Sequence, residues 1–444
     1  MSVSVLRWPL LGLLLVACAA TPYRAPPVEC PAVAGAAPVA WWKSFADPQL
    51  LSLLSELGRC NVELANKVLR VRYYRLAEGR SDISAKGLLM AKETAALDGG
   101  GAVRSHALEA TVSYELDLWG KVVREHEADA WQTRVSEAEW QALLLSLQSE
   151  VAGVYWQLTA GQRERRLQQE IVGLAERLWR LEIRAQALGA VAASEVRLRY
   201  QAWLDRREAL DRLDARIQQL RERQAALLDQ PQLAAVRSPG AEDVAMPEQL
   251  PEVPSGLPAD MLLQRPDIAA GVAELRRLMA RKDIAAARFL PELTLTGLLG
   301  AASPALRQWL SQPAAGLVGS LSLPLFDHNL TIARDQAQIE VEIAAGNYRR
   351  LVNGALREVD DALTSRQRLH QEVERALVQW SLARDEENEA RRRWRAGDAD
   401  SRLPLLARMR RLEWESRLLV LRSEQKINLA TLFKAMGGGG WPHG

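Results

Sequence analysis

The strongest constraint on this chain is that its pattern is written twice. Leu108, Ala110, Val112, Tyr114, Leu116 and Leu118 alternate with Ala107, Glu109, Thr111, Ser113, Glu115 and Asp117, and the segment then runs into a stretch patterned as a very long helix. About 207 residues further on, Leu317, Gly319, Leu321, Leu323 and Leu325 alternate with Val318, Ser320, Ser322 and Pro324, and the same transition follows. Period two sends successive side chains to opposite faces, so each segment has one apolar face and one mostly polar face. Both segments end in an aromatic, Trp119 and Phe326. A duplicated strand-to-helix unit has to be recognised before single elements are assigned, because missing it mis-assigns the whole fold.

The rest of each copy follows the same plan. Leu50, Leu51, Leu54, Leu57, Val62, Leu64 and Val68 predict a helix from Asp47 to about Ala77. A strand over 83–94 follows, with Leu88 and Met90 on the face of Lys86 and Lys92, and the turn Asp98-Gly99-Gly100-Gly101 makes a β-hairpin of 83–118. Residues 121–187 contain no proline, and Gly153, Gly161 and Gly173 are the only breakers. They predict one helix roughly 100 Å long. After a turn over Gly189–Ser194, Val196, Trp203, Leu210, Leu213, Ile217, Leu220 and Leu227 predict a partner helix to Asp229. The second copy predicts a helix over 267–288, strands over 292–300 and 316–325, a helix from about 330 to 395, a turn at Gly397 and a helix to Met436. Gly189 and Gly397 superpose under nearly the same offset, so the two hairpin tips correspond.

The domain division is therefore a first repeat over 41–229 with its long helical hairpin at 121–229 and a Pro-rich linker over 230–258. A second repeat over 259–436 has its β-hairpin at 292–325 and its helical hairpin at 330–436, and a Gly-rich tail covers 437–444. The fold class is mainly α with a small β part, an internal two-fold repeat of long α-helical hairpins plus four strands per chain.

The N-terminus reads as a signal peptide over 1–17: Arg7, an apolar run from Leu10 to Val16, then small residues. It is too short to span a bilayer stably. Leu15-Val16-Ala17-Cys18 resembles the bacterial lipobox, which makes Cys18 the lipidation site and the mature N-terminus. Ala19 after the cysteine favours the outer membrane, by resemblance to sorted lipoproteins. Residues 18–40, rich in Pro and Ala, form a lipidated tether. Cys30 and Cys60 remain, and in an oxidising periplasm their pairing is allowed but not demanded.

Beyond the signal no segment reaches 18 apolar residues, so a chain that crosses the bilayer has to do so as a β-barrel. Four strands cannot close one, and their edges have to pair with other copies. Two chains would supply eight strands and a filled interior, whereas three supply twelve and leave a lumen. The expectation is a homotrimer whose apolar strand faces meet outer-membrane lipid. Glu109, Thr111, Ser113, Glu115, Asp117, Thr294, Thr296, Ser320 and Ser322 are then lumen-facing, and Trp119, Phe289 and Phe326 form an aromatic girdle at the membrane interface. A soluble sheet half buried on a helical layer would show the same alternation.

Longer segments carry a family resemblance. They are Trp41-Trp42 with Phe45-Ala46-Asp47-Pro48; Ser113-Tyr114-Glu115-Leu116-Asp117-Leu118-Trp119-Gly120; Leu257-Pro258-Ala259-Asp260-Met261-Leu262-Leu263-Gln264-Arg265-Pro266-Asp267-Ile268; Phe289-Leu290-Pro291-Glu292-Leu293-Thr294-Leu295-Thr296-Gly297; and Gly438-Gly439-Gly440-Trp441. Over nearly the whole mature chain the sequence resembles the TolC-like outer-membrane efflux channels, in particular their lipoprotein (NodT-type) branch. The resemblance implies a trimeric twelve-stranded barrel continued by a helical tunnel through the periplasm. Such a tube is the exit duct for a periplasmic adaptor (membrane-fusion) protein and an inner-membrane RND-type pump. It also implies that the hairpin tips meet the adaptor and constrict the bore, which singles out Gly189, Ala190 and Glu195 at the first tip. At the second it singles out Arg393, Gly397, Asp398, Asp400, Arg402 and Arg408. Arg393-Trp394-Arg395-Ala396-Gly397 matches the family's tip pattern, whereas Ala185-Gln186-Ala187-Leu188-Gly189 lacks its Arg and aromatic. Leu406 stands where the family often carries an acidic residue.

Several chemistries have no foundation in the sequence. A net charge of +2, with 57 basic and 55 acidic residues interspersed, argues against nucleic acid. The histidines at 106, 126, 328, 370 and 443 show no zinc spacing, and there is no Gly-rich phosphate loop, so no metal, cofactor or enzymatic activity is expected. Glu115 and Asp117 form a carboxylate pair of the glycosidase kind, but Glu109, Thr111 and Ser113 continue their face, which reads as a wetted surface. Two rivals to an efflux duct stay open at this point. One is the outer-membrane channel of a type I protein secretion system; the other is a periplasmic coiled-coil adaptor or scaffold without a barrel.

Overall fold

The computed structural model describes residues 40–94, 103–231, 264–303, 313–325 and 327–438. The signal peptide, Cys18, Cys30, Phe326 and nearly all of the tether, linker and tail lie outside the described residues. The helices are α1 (Pro48–Cys60), α2 (Val62–Glu78), α3 (Lys121–Ala187), α4 (Ala193–Leu227), α5 (Pro266–Ala287), α6 (His328–Arg395) and α7 (Arg402–Ala435). The strands are β1 (Ile83–Thr94), β2 (Val103–Leu116), β3 (Glu292–Ser303) and β4 (Pro313–Ser322). A 3-10 turn over Ala40–Phe45 precedes α1.

Helices α3 and α6, of 67 and 68 residues, set the length of the molecule. Each is roughly 100 Å long. The three glycines inside α3 leave it continuous, because the roughly 1 kcal/mol that each costs is small beside the packing on both sides of the rod. The other helices form two composite columns. The helix predicted from Asp47 to about Ala77 divides at Asn61, whose backbone is extended at φ −70° and ψ 118°. Its side-chain oxygen caps Leu64 N–H at 2.9 Å while its amide donates to the Leu227 carbonyl at 3.0 Å. Asp229 accepts the Val62 N–H at 2.8 Å, so α2 stands on the end of α4. In the second copy α5 stands on α7: Arg265, nearly buried, donates to the Ala435 carbonyl at 2.7 Å and holds Asp267 and Glu358 at 2.8 Å each. A Cβ on Gly437 would fall 2.9 Å from the Arg265 backbone, so the start of the closing glycine run is needed where α7 passes under α5.

Helix α3 touches α2, α4, α5 and α7, while α6 touches α5 and α7. The chain is thus a layer four columns wide: α4 with α2, then α3, then α7 with α5, then α6. An aromatic knot fastens it at the waist. Trp41 stacks on Trp42 and on Phe433 with ring centroids 3.7 and 4.4 Å apart, and Phe45 meets Trp156 at 4.9 Å. Trp42 is fully buried and donates to Gln148 at 2.9 Å. Asp47 caps α1 and accepts the Tyr155 hydroxyl at 3.1 Å. Cys60, at the foot of α2, is disulfide-bonded.

The four strands form one antiparallel sheet in the order β1-β2-β3-β4. β2, β3 and β4 extend beyond expectation at their far ends, to Val103, Ser303 and Pro313, while two strands stop short of their expected C-terminal ends. β2 stops at Leu116, one residue before Asp117, because that carboxylate serves the helix that follows. β4 stops at Ser322 rather than 325; Pro324 has no N–H to continue a ladder. Among the described residues no helix is long and apolar enough to cross a membrane.

Candidate functional site

Register decides which side chains share a face of the sheet. Glu115 lies opposite Thr294 and Thr294 opposite Ser320; Ser113 lies opposite Thr296, Thr111 opposite Lys86, and Glu292 opposite Ser322. Directly paired residues point the same way, so Glu109, Thr111, Ser113, Glu115, Thr294, Thr296, Ser320 and Ser322 gather on one face together with Ser84, Lys86 and Glu292. The Ser113 and Thr296 hydroxyls are 3.1 Å apart. Leu88, Leu298 and Val318 interrupt this face with apolar groups. The opposite face carries Ile83, Val112, Tyr114, Leu295, Leu299, Leu317 and Leu321, all exposed, Leu317 at 72% and Leu321 at 70%. A soluble sheet covers such a face with its own helices, and none of the described helices does so here.

At the root of the sheet the carboxylates are engaged. Lys121, nearly buried, reaches Glu292 at 2.6 Å and Glu115 at 3.1 Å, tying β2 and β3 to the first turn of α3. Asp117 is not part of the strand face: it accepts the Val122 and Val123 N–H groups at 3.1 and 3.0 Å and so caps α3. Asp327 does the same for α6, accepting Asn329 N–H at 2.9 Å. Trp119 is half exposed and donates to the Pro291 carbonyl at 2.8 Å, and Phe289 lies under the Arg334 guanidinium.

At the far end both hairpins turn through a glycine with positive φ, +71° at Gly189 and +78° at Gly397. Each closes by the same six-to-one bond, Ala190 N–H to the Ala185 carbonyl and Asp398 N–H to the Arg393 carbonyl, both at 2.9 Å. Glu195 is exposed in the first turn of α4. The charges of the second tip are largely paired within the chain. Arg393 meets Asp398 at 3.1 Å and Arg408 reaches Glu170 of α3 at 2.5 Å. Arg402 holds Asp400 and also reaches both oxygens of Glu182 at 3.1 Å; its hydrogen bond keeps the Asp400 carboxyl below the usual carboxylate range.

Glu182 is the residue that sequence reading missed. It is 2% exposed on α3, and Arg199 of α4 approaches it at 3.6 Å, so one buried carboxylate joins the first hairpin to the second just above the tips. The signal was present in the stripe Ile171, Leu174, Leu178, whose next step is Glu182. Glu387 plays a similar part between α6 and α7, held by Arg391 and by Arg411, the latter at 2.6 Å. Leu403 and Leu406, with Ala407, Arg393, Arg410 and Glu386, line a groove of about 400 Å³ between α6 and α7 beside the second tip.

Comparison with known proteins fits this architecture. Residues 257–438 match the family model described as outer membrane efflux protein. The chain is 28% identical over 430 residues to the pyoverdine export outer membrane protein OpmQ of Pseudomonas putida, covering 90% of this chain and 88% of that protein. It is 30% identical over 354 residues to the outer membrane protein OprJ of Pseudomonas aeruginosa, covering 74% of this chain and 69% of that protein. The chain belongs to the outer membrane efflux protein family. Among solved structures, the Campylobacter jejuni outer membrane channel CmeC superposes with a TM-score of 0.80 at 20% identity, covering 91% of this chain and 89% of that one. This chain is therefore an outer membrane channel of a tripartite efflux pump, with a periplasmic helical part.

Proposed function

We propose that three copies of this chain close into one continuous tube, a passive lipid-anchored duct of the lipoprotein branch, coupled to an RND-type pump through a periplasmic adaptor. The single observation that carries this reading is that both layers of the chain end unfinished. Among the described residues the sheet ends in the edges β1 and β4, which pair with no further strand. The helical layer ends in flanks that leave apolar side chains in water: Leu69, Tyr73 and Leu76 on α2, and Ile332, Ile339 and Ile343 on α6. Each flank differs from the other, so the contact is head-to-tail and closes only by rotation. Three copies supply twelve strands around a lumen and twelve helical columns beneath it.

In that ring the polar sheet face of Glu109, Thr111, Ser113, Glu115, Thr294, Thr296, Ser320 and Ser322 lines the lumen, and the leucine-rich face meets lipid. Trp119 and Phe289 stand at the membrane border, where aromatic rings tolerate both media. Cys18 carries the lipid. The tips at Gly189, Ala190, Glu195, Arg393, Gly397, Asp398, Asp400, Arg402 and Arg408 form the constriction and the adaptor contact. Leu406 replaces a carboxylate at the groove beside the second tip, so adaptor helices would bind there through apolar contact more than charge. A lumen of generic polar groups selects weakly, which leaves substrate choice to the pump. The pyoverdine export for which OpmQ is named favours small-molecule efflux over type I protein secretion.

Purified protein tests the proposal directly. A heat-modifiable trimer on gels and discrete conductance steps in a planar bilayer are expected. A monomer that leaves the bilayer silent would remove the duct and leave only a scaffold.

A further inference from the structure

We infer that α2 of one copy and α6 of the next close the helical wall in one register, Leu76 against Ile332 and Leu69 against Ile339, with an ion pair from Arg72 to Asp335 across the seam. The inference rests on the reading of three copies in one ring and adds which residues meet there.

The register is set by a contact that the chain makes with itself. Helix α3 descends from the sheet while α5 climbs towards it, and the two are pinned along their length. Arg124 approaches Asp283 at 3.7 Å, Ala128 packs with Ala280 and Ile284, and Arg276 lies over Trp131 at 4.7 Å. The repeat of about 207 residues carries α3 into α6 and α2 into α5. The open flank of α6 therefore corresponds to the face that α3 presents to α5, and the open flank of α2 to the face that α5 presents to α3. Within one chain those flanks lie at opposite sides of the layer, so only another copy brings them together. Shifted by the repeat, Arg124 and Asp283 become Thr331 and Leu76, and Trp131 and Arg276 become Gln338 and Leu69. Ile332 and Ile339 stand one residue on. Tyr73 takes the place of Ala280, and it is 68% exposed where Ala280 is 3% exposed. A position covered inside the chain is left bare at its edge.

The side chains complete the match. Leu69 and Leu76 are a heptad apart, as are Ile332 and Ile339, so in an antiparallel pair one match brings the other. All four are exposed. Val62, a heptad below Leu69, then meets Gly346, where a Cβ would have nothing within 4 Å. Arg72 follows Leu69 by three residues and Asp335 follows Ile332 by three, which puts both on the same flank of the seam at the same height. Arg72 is exposed and makes no ion pair among the described residues, while Asp335 is held by Arg334, its neighbour in the chain, at 2.9 Å. An exposed pair adds little stability; its use here is to penalise a slipped register.

The full chain, with Cys30 and Cys60 replaced by serine and purified from outer membranes, tests the register through pairs of cysteines oxidised in the trimer. Leu76→Cys with Ile332→Cys, and Leu69→Cys with Ile339→Cys, are expected to give covalent trimers. Leu76→Cys with Ile339→Cys is off by a heptad, about 10 Å, beyond the roughly 7 Å between Cα atoms that a disulfide spans, and is expected to stay unlinked. Leu69→Cys with Ile343→Cys fits a seam slipped by one turn and is expected to lag behind both matched pairs. Trimers in which either mismatched pair links faster would overturn the register and leave the ring intact. Absence of any trimer, with native cysteines as well, would overturn the ring itself. The ion pair is read separately in the chain with its native cysteines. Arg72→Asp and Asp335→Arg should each lower the temperature at which the trimer dissociates on gels, and the two together should return it to the parent value. No recovery in the double variant would show that these residues do not pair.

Discussion

Replacing Glu182 by glutamine should loosen the tips without unfolding the channel. The carboxylate is 2% exposed, accepts from Arg402 on both oxygens at 3.1 Å, and faces Arg199 at 3.6 Å. Glutamine keeps the shape and one acceptor but removes the charge that two guanidinium groups share. Hydrogen bonds to charged groups contribute about 1.5–3 kcal/mol. Arg402 is about one third exposed, so solvent takes part of this and the lower end applies, about 1.5–2 kcal/mol per chain. At 1.4 kcal/mol per decade, the local opening equilibrium shifts by about tenfold to thirtyfold. Amide hydrogen exchange reads this at residues 188–192 and 397–401, with amides around Trp42 as the internal standard. Single-channel records should show a matching rise in the open fraction. As a control, Glu176→Gln breaks an exposed pair with Arg180 and should change almost nothing. Tip exchange and open fraction unchanged in Glu182→Gln would refute the view that this carboxylate latches the hairpins.

The other expectations concern the waist, the sheet root and the tips. Lys426 is buried on α7, and desolvation pushes its ammonium down to about 8 from 10.5, with Asp47 opposing the shift and Arg163 and Arg422 adding to it. Between those values the unfolded chain holds a proton that the folded chain has released, so stability should rise with pH there, and the full penalty remains below 8. Lys426→Met should therefore raise the urea midpoint at neutral pH, by up to about 3 kcal/mol of stability, and abolish the alkaline rise; a lowered midpoint would contradict this. Trp42→Ala empties the centre of the aromatic knot and strands the Gln148 side chain, for an expected loss of about 3–5 kcal/mol by denaturant titration. Glu115→Lys sets a second cation beside Lys121 and should move reversal potentials towards anions, whereas Asp117→Ala should mainly destabilise the start of α3, by about 1 kcal/mol. Gly397→Val forces a branched residue to φ +78° and should impair adaptor-dependent drug resistance in cells more than trimer formation.

What the sequence disclosed and what it hid follow from the range of the interactions. Alternation from Glu109 to Leu116 and from Leu317 to Ser322 is a local record of which face is apolar, so the strands, their shared polar face and the repeat were legible. Helix length was legible for the same reason: the absence of proline between Lys121 and Ala187 is a property of the segment itself. Asp117 was misread as a strand residue although Gly120, at φ +73°, marks the turn three residues on, because a capping role depends on where the backbone leaves the strand. Asn61 was passed over inside a helix predicted as continuous, because the Leu227 carbonyl it donates to, and the Asp229 that holds the next residue, lie at the end of another helix. The Arg265-Pro266-Asp267 segment was visible as a resemblance, but its work, seating α5 on α7, needs the Ala435 carbonyl 170 residues away. Glu182 was visible as an interruption in an apolar stripe and was passed over because its arginines lie on two other helices.

The central claim is that one chain supplies a third of a closed wall. Cysteines placed in pairs, one on β1 at Ile83, Ala85 or Gly87 and one on β4 at Gly319 or Leu321, in a chain with Cys30 and Cys60 replaced by serine, test it most directly. Mild oxidation in the membrane should give covalent dimers and trimers and stop there, because the third bond closes the ring. A ladder that continues past three, or one that ends at two, would contradict the account.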